Sequence, residues 1–78
     1  MSDIQIDREI DLSGDVCPYT FVKSKLALEK MSSGQILAVK VDNGESASNV
    51  PRSMELENHD VLSVDEVSGG WRITVRKG

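Results

Sequence analysis

The chain has 78 residues, 38% of them hydrophobic and 28% charged, and a formal net charge of −4. This is the make-up of one small folded domain spanning 1–78; it argues against disorder, against a membrane span of ~20 apolar residues and, since phosphate neutralisation needs a basic surface, against direct nucleic-acid binding. One cysteine and one histidine cannot build a zinc site of the usual Cys/His type, and a lone thiol behind an N-terminus without an export pattern points to a reducing cytoplasm.

The first element is a half-buried strand. In "REIDLSG" Ile10 and Leu12 point one way and Glu9 and Asp11 the other, with Gly14 as the stop. Ile4 and Ile6 continue the alternation, so the strand starts earlier or residues 1–8 fray as an N-terminal extension.

From Pro18 the period becomes helical. Phe21, Ser24, Leu28 and Met31, with Ala27 beside them, form one face, and "SSG" at 32–34 supplies a stop with Gly34 as a left-handed cap. Tyr19, Val22 and Leu26 form a second stripe on nearly the opposite side. The longer stripe is assigned to the core. The shorter one either packs beside the second helix or is exposed as a surface for partner docking.

"QILAVKV" (35–41) reads as a central strand covered on both faces, and "DNG" (42–44) as a turn. A second helix follows over 45–58, with Ala47, Val50, Met54 and Leu56 inward. Pro51 belongs in a first helical turn, which moves the regular part of this helix to about Asn49, with the Asn49 side chain as its cap. "DVLSVDEV" (60–67) and "WRITVRK" (71–77) are strands joined at Gly69–Gly70 as a hairpin. The order is β-α-β-α-β-β. The expected architecture is a two-layer α/β sandwich, a four-stranded mixed sheet with both helices on one face.

The only cysteine stands directly before a proline at the start of the first helix. Proline is favoured at the first helical position, which puts Cys17 at or beside the N-cap. Free backbone N–H groups and the positive end of the helix dipole then favour thiolate over thiol, and the thiolate is the nucleophile. Cys-Pro alone is a common pair, however, and spacing leaves a reactive Cys17 and an inert, half-buried one equally open.

Residues 10–78 resemble the TusA/SirA-like sulfur-carrier family. The resemblance is carried by "DLSGDVCPYTFVKSKLALEKMSSGQILAV", "NVPRSM", "NHDVLSV" and the closing "GGWRITVRKG". It implies that Cys17 carries sulfane sulfur as a persulfide, with Pro18, Tyr19 and Thr20 supporting it at the helix N-terminus. The sulfur would come from a cysteine desulfurase or rhodanese-like protein. It would pass to an acceptor protein serving tRNA thiolation, molybdenum-cofactor synthesis or sulfur metabolism. No metal or organic cofactor is implied, and a monomer is expected.

The family motif is Cys-Pro-x-Pro, and this chain reads Cys-Pro-Tyr-Thr. The Thr20 hydroxyl is then available to donate to a persulfide or to pack back on the backbone. The backbone N–H groups of Tyr19 and Thr20 are expected to hold the outer sulfur. A regulatory or interaction module of the same fold, or a redox thiol protein, is the alternative reading.

Lys23 and Lys25 flank the short stripe and read either as a solvated face or, with Val22 and Leu26, as docking groups for an acidic partner. Asp15 would raise the thiol pKa if close, so it is expected to turn to solvent. His59 follows the second helix and reads as part of its stop rather than as an acid/base group. Trp71 reads as a partly buried anchor.

Overall fold

The structure, a computed structural model, describes residues 5–16 and 19–78. Its elements are β1 (Arg8–Asp11), α1 (Tyr19–Glu29), β2 (Ile36–Val41), α2 (Gly44–Leu56), β3 (Asp60–Val67) and β4 (Gly70–Arg76). The strands form one four-stranded sheet in the order β1-β2-β4-β3. β1 runs parallel to β2, and the β2–β4 and β4–β3 pairs are antiparallel. The expected mixed sheet and element order are both observed.

A parallel pair needs a crossover, and α1 supplies it. The buried core joins Ala27, Leu28 and Met31 of the first helical segment and Val50 and Met54 of α2 to Leu37, Val39, Val41, Ile73 and Val75 of the sheet. Those sheet residues alternate along β2 and β4, so both helices cover one face. The opposite face carries Glu9, Asp11, Lys40, Arg72 and Arg76. At its centre Ala38 and Thr74, paired across β2 and β4, are 3% and 5% exposed. They lie between long charged side chains whose aliphatic stems cover apolar surface. Trp71 packs at the margin of the core, its ring beside Gly44 at the start of α2. That is the anchoring role expected of it.

The chain breaks follow local chemistry, with three departures from the sequence reading. First, α1 ends at Glu29, and the left-handed Gly34 (φ 89) serves the turn into β2 rather than capping the helix. Its N–H donates to Lys77 O at 2.8 Å. Second, α2 starts at Gly44 with Asn43 as its N-cap, not at Asn49. Asn43 Oδ1 accepts from the Ser46 N–H at 2.8 Å. Pro51 therefore lies inside α2, where it removes one intrahelical N–H. Burial of Val50 and Met54, both 0% exposed, offsets that loss. Third, Leu56 is 77% exposed rather than inward. The first strand begins at Arg8, the first residue of "REIDLSG", as expected; Ile6 precedes it half-buried, and Ile4 lies outside the described residues.

α2 ends in a Schellman motif. The His59 N–H donates to Met54 O at 3.0 Å and the Asn58 N–H to Glu55 O at 3.1 Å. Asn58 takes the left-handed position (φ 69) that glycine usually fills. His59 thus belongs to the helix stop, and its Nδ1 accepts from the Gly78 N–H at 3.1 Å. In the β3–β4 hairpin Gly70 (φ 159) is required, because a Cβ there would lie 2.0 Å from Val41 O. Among the described residues no helix is long and apolar enough to cross a membrane.

Leu28 sits in the middle of the buried helical stripe at 0% exposure. Leu28→Ala should cost about 2–5 kcal/mol of unfolding free energy in a urea melt. A loss below about 0.5 kcal/mol would be that of a surface position and would contradict its place in the core.

Candidate functional site

The site is built where the parallel strands end. The loops that leave β1 and β2 lie at the same end of the sheet and are tied to one another. The Gly14 N–H donates to Asp42 Oδ2 at 2.7 Å. Asn43 Nδ2 donates to Asp15 O at 3.1 Å while its Oδ1 caps α2. Thr20 Oγ1 and Ser46 Oγ are 3.0 Å apart and share a hydrogen bond between the first turns of α1 and α2. Ser24 Oγ donates to Thr20 O at 2.7 Å. Thr20, Ser24 and Ser46 are all 0% exposed, so small hydroxyl side chains let the two helices approach closely beside the loop.

Cys17 and Pro18 lie outside the described residues. Sequence connectivity sets them between Val16, the end of the β1–α1 loop, and Tyr19, the first residue of α1. The backbone around them departs from expectation in one respect. The Tyr19 and Thr20 N–H groups both donate to Val16 O, at 2.8 and 3.3 Å. They are engaged within the loop and are not the pair of donors expected to hold an outer sulfur. The Thr20 side chain points between the helices to Ser46, not back onto its own turn alone. Nothing in the sequence of α1 signals that partner, because Ser46 belongs to a segment read as the turn side of α2.

The shorter stripe of α1 is exposed. Tyr19 is 61%, Val22 44% and Leu26 52% exposed, and Val16 at 54% extends the stripe into the loop directly before Cys17. Tyr19, Val22 and Leu26 run along one side of α1.

The flanking lysines are not free cations. Lys23 Nζ lies 3.0 Å from Asp15 Oδ2, and Lys25 Nζ lies 3.4 Å from Glu57 Oε1. Asp15, expected to face solvent, is half-buried and bound to Lys23. Both pairs are exposed enough that each contributes little to stability. Their effect is to neutralise the surface on either side of the apolar stripe.

Residues 8–77 match the family described as Sulfurtransferase TusA. The chain is 45% identical to a candidate sulfur carrier protein of Archaeoglobus fulgidus, over 95% of this chain and 85% of that protein. A candidate sulfur carrier protein of Thermotoga maritima is 34% identical over 97% of this chain and 98% of its own. Among solved structures, a SirA-like protein from Desulfitobacterium hafniense superposes with a TM-score of 0.79 at 28% identity, covering 91% of this chain and 97% of that one.

The Thr20–Ser46 bond can be tested directly. Ser46→Ala and Thr20→Val should each lower stability by about 1–3 kcal/mol, as expected for disturbing a buried hydrogen-bonded hydroxyl. The double variant should lose less than the sum by at least about 0.5 kcal/mol in urea melts. Strict additivity would show that the two hydroxyls do not act on one another.

Proposed function

The chain belongs to the TusA sulfurtransferase family, and on that premise we propose that it is a sulfur carrier whose Cys17 holds sulfane sulfur between two protein partners. The observation that carries this reading is the exposed apolar stripe Val16–Tyr19–Val22–Leu26, which starts at the residue before Cys17. A carrier that receives sulfur from one protein and delivers it to another must bring its thiol against a protein surface, and an apolar strip beside the thiol serves that contact. The small hydroxyls behind α1 hold its first turn against α2 while its outer side stays open.

The transfer is a thiol–persulfide exchange. The Cys17 thiolate attacks the outer sulfur of the donor's persulfide. A new S–S bond forms at Cys17, the donor's S–S bond breaks, and the donor leaves as a thiolate that takes up a proton. Oxidation state is conserved, so no external oxidant or reductant is consumed. Delivery is the same step in reverse, with the acceptor as nucleophile. The start of α1 favours both anions, because a helix N-terminus carries partial positive charge. Cytoplasmic operation suits this chemistry, since a reducing compartment keeps the lone thiol from being trapped in mixed disulfides. The donor is read as a cysteine desulfurase or rhodanese-like protein.

Incubation with a persulfide donor should add one sulfur atom to the protein, removable by a reductant and absent in Cys17→Ser. The Cys17 thiol should titrate below the free value of ~8.5. A thiol that titrates above ~9 and gains no sulfur from any donor would replace the carrier reading with that of an interaction module.

Val22→Asp with Leu26→Asp should slow sulfur acceptance from a protein donor while leaving acceptance from a small-molecule polysulfide unchanged. Because both positions are exposed, the fold should hold within about 0.5 kcal/mol for each change. Equal loss with both donors would place the stripe's effect on the thiol and not on docking.

A further inference from the structure

The open face of the sheet, opposite the helices, carries a charge pattern that the sulfur-carrier reading does not use. Strand register puts Asp11 opposite Lys40, Lys40 opposite Arg72, and Arg72 opposite Asp65. One row across β1-β2-β4-β3 therefore reads acid, base, base, acid. Like charges directly opposite each other on neighbouring strands destabilise a sheet. Here two cations face each other at its centre.

Among the described residues the flanking acids make no direct ion pair with them. Among the described residues the ion pairs are Lys23–Asp15, Lys25–Glu57 and Arg76–Asp60, and neither Lys40 nor Arg72 takes part in one. The contrast with Arg76 is informative. It sits on the same face of the same strand, lies opposite Asp60 in register, and closes on it at 2.7 Å. Arg72 stands in the same relation to Asp65 and makes no such contact. Asp11 is turned to the loop, where its Oδ1 accepts from the Ser13 N–H at 2.9 Å. Hydrogen bonding by Ser13, with the Lys40 charge as a lesser contribution, holds the Asp11 carboxyl below its usual range. It therefore stays ionised without engaging Lys40 directly.

Between these groups lies a groove of about 220 Å³ lined by Glu9, Asp11, Ala38, Lys40, Val67 and Arg72. We propose that Lys40 and Arg72 form a binding site for a single carboxylate group on the open face of the sheet. A guanidinium fork matches the two oxygens of a carboxylate, and the lysine adds a second donor from the neighbouring strand. Glu9 and Asp11 on the β1 side add negative charge to the rim. That disfavours a dianion such as sulfate relative to a monoanion. The site is on the face away from α1, so it stands or falls independently of Cys17 chemistry.

The test is a ¹⁵N NMR titration of the whole chain with sodium acetate, against sodium chloride at equal ionic strength. Acetate should give saturable shifts confined to the amides of residues 9–11, 38–40 and 70–72, and chloride none that saturate. Sulfate should bind no more tightly than acetate. Arg72→Gln and Lys40→Gln should each weaken acetate binding about tenfold, the scale of one charge-assisted hydrogen bond. Arg72→Lys, which keeps the charge and loses the fork, should fall between wild type and Arg72→Gln. A peptide with blocked termini and one glutamate separates the sources of the ligand. Tighter binding than acetate assigns the site to an acidic side chain of a protein, and weaker binding to a free organic acid. Identical shifts with acetate and chloride, or saturable binding unchanged in a folded Arg72→Gln, would overturn the site.

Discussion

The parallel pairing of β1 with β2 is the constraint on which the rest of this protein depends. Two parallel neighbours cannot be joined by a tight turn, so α1 must cross over the sheet to connect them. Parallel strands also end at the same edge. The loop into α1 and the loop into α2 therefore leave side by side, and two helix N-termini come together there. β1 has only four strand residues, too few to secure that arrangement alone. The pairing is prolonged at one end by the Asp7 N–H to Ile36 O and at the other by the Leu12 N–H to Lys40 O. Beyond it the loops hold each other through Asp42, Asn43 and Asp15. Asp15 and Thr20, which stand just outside Val16 and Tyr19, are thus each bonded to a segment far away in sequence.

Placing both helices on one face has a second consequence. Each helix then has an inner side on the sheet, a flank toward the other helix, and an outer side. On α1 the inner side is Phe21, Leu28 and its neighbours, and the flank is Thr20 against Ser46, with Ser24 bonded back to Thr20 O. The outer side still carries Tyr19, Val22 and Leu26. An apolar outer side lowers solubility and adds nothing to the core. Its retention next to the cysteine fits a surface that is covered during work and bare between encounters. Among the described residues no helix covers the other face of the sheet, so charged side chains must shield its centre, and their spacing is set by strand register and not by solvent alone.

The element order and the core were legible in the sequence because alternation and helical periodicity point to the same faces that burial later selects. Leu28 and Met54 are examples. Periodicity could not say which apolar stripe of α1 faces the sheet, since both fit a helix; stripe length decided it, and the buried Leu28 agrees. The start of α2 was misread because Pro51 is a strong local breaker, whereas tertiary packing of Val50 and Met54 carries the helix through it. Asn43 was visible as a turn residue, but its role as a cap depends on Ser46 being helical. Around the cysteine, the motif identified the residue to consider but not its surroundings. The Thr20–Ser46 contact spans 26 positions in sequence, and no local pattern encodes such a pairing. The ion pairs of Lys23 and Lys25 were hidden for the same reason in one case. Lys25 meets Glu57 from the far end of α2, whereas Lys23 meets the nearby Asp15.

Those ion pairs bear on how partners find the site. The chain as a whole is acidic, at −4, and the two lysines beside the apolar stripe are each matched by a carboxylate. The local field there is close to neutral, so it offers little long-range pull on either an acidic or a basic partner. An acidic donor would have to displace Asp15 or Glu57 to use either lysine, exchanging one exposed ion pair for another with small net gain. In the proposed carrier role, association would rest on the fit of the Val16–Leu26 strip to an apolar counterpart, at the ordinary rate of unsteered protein docking. For a carrier this is a workable arrangement. A weakly charged surface beside the thiol suits the proposed exchange between a donor and an acceptor of different electrostatic character, because neither is favoured by long-range attraction.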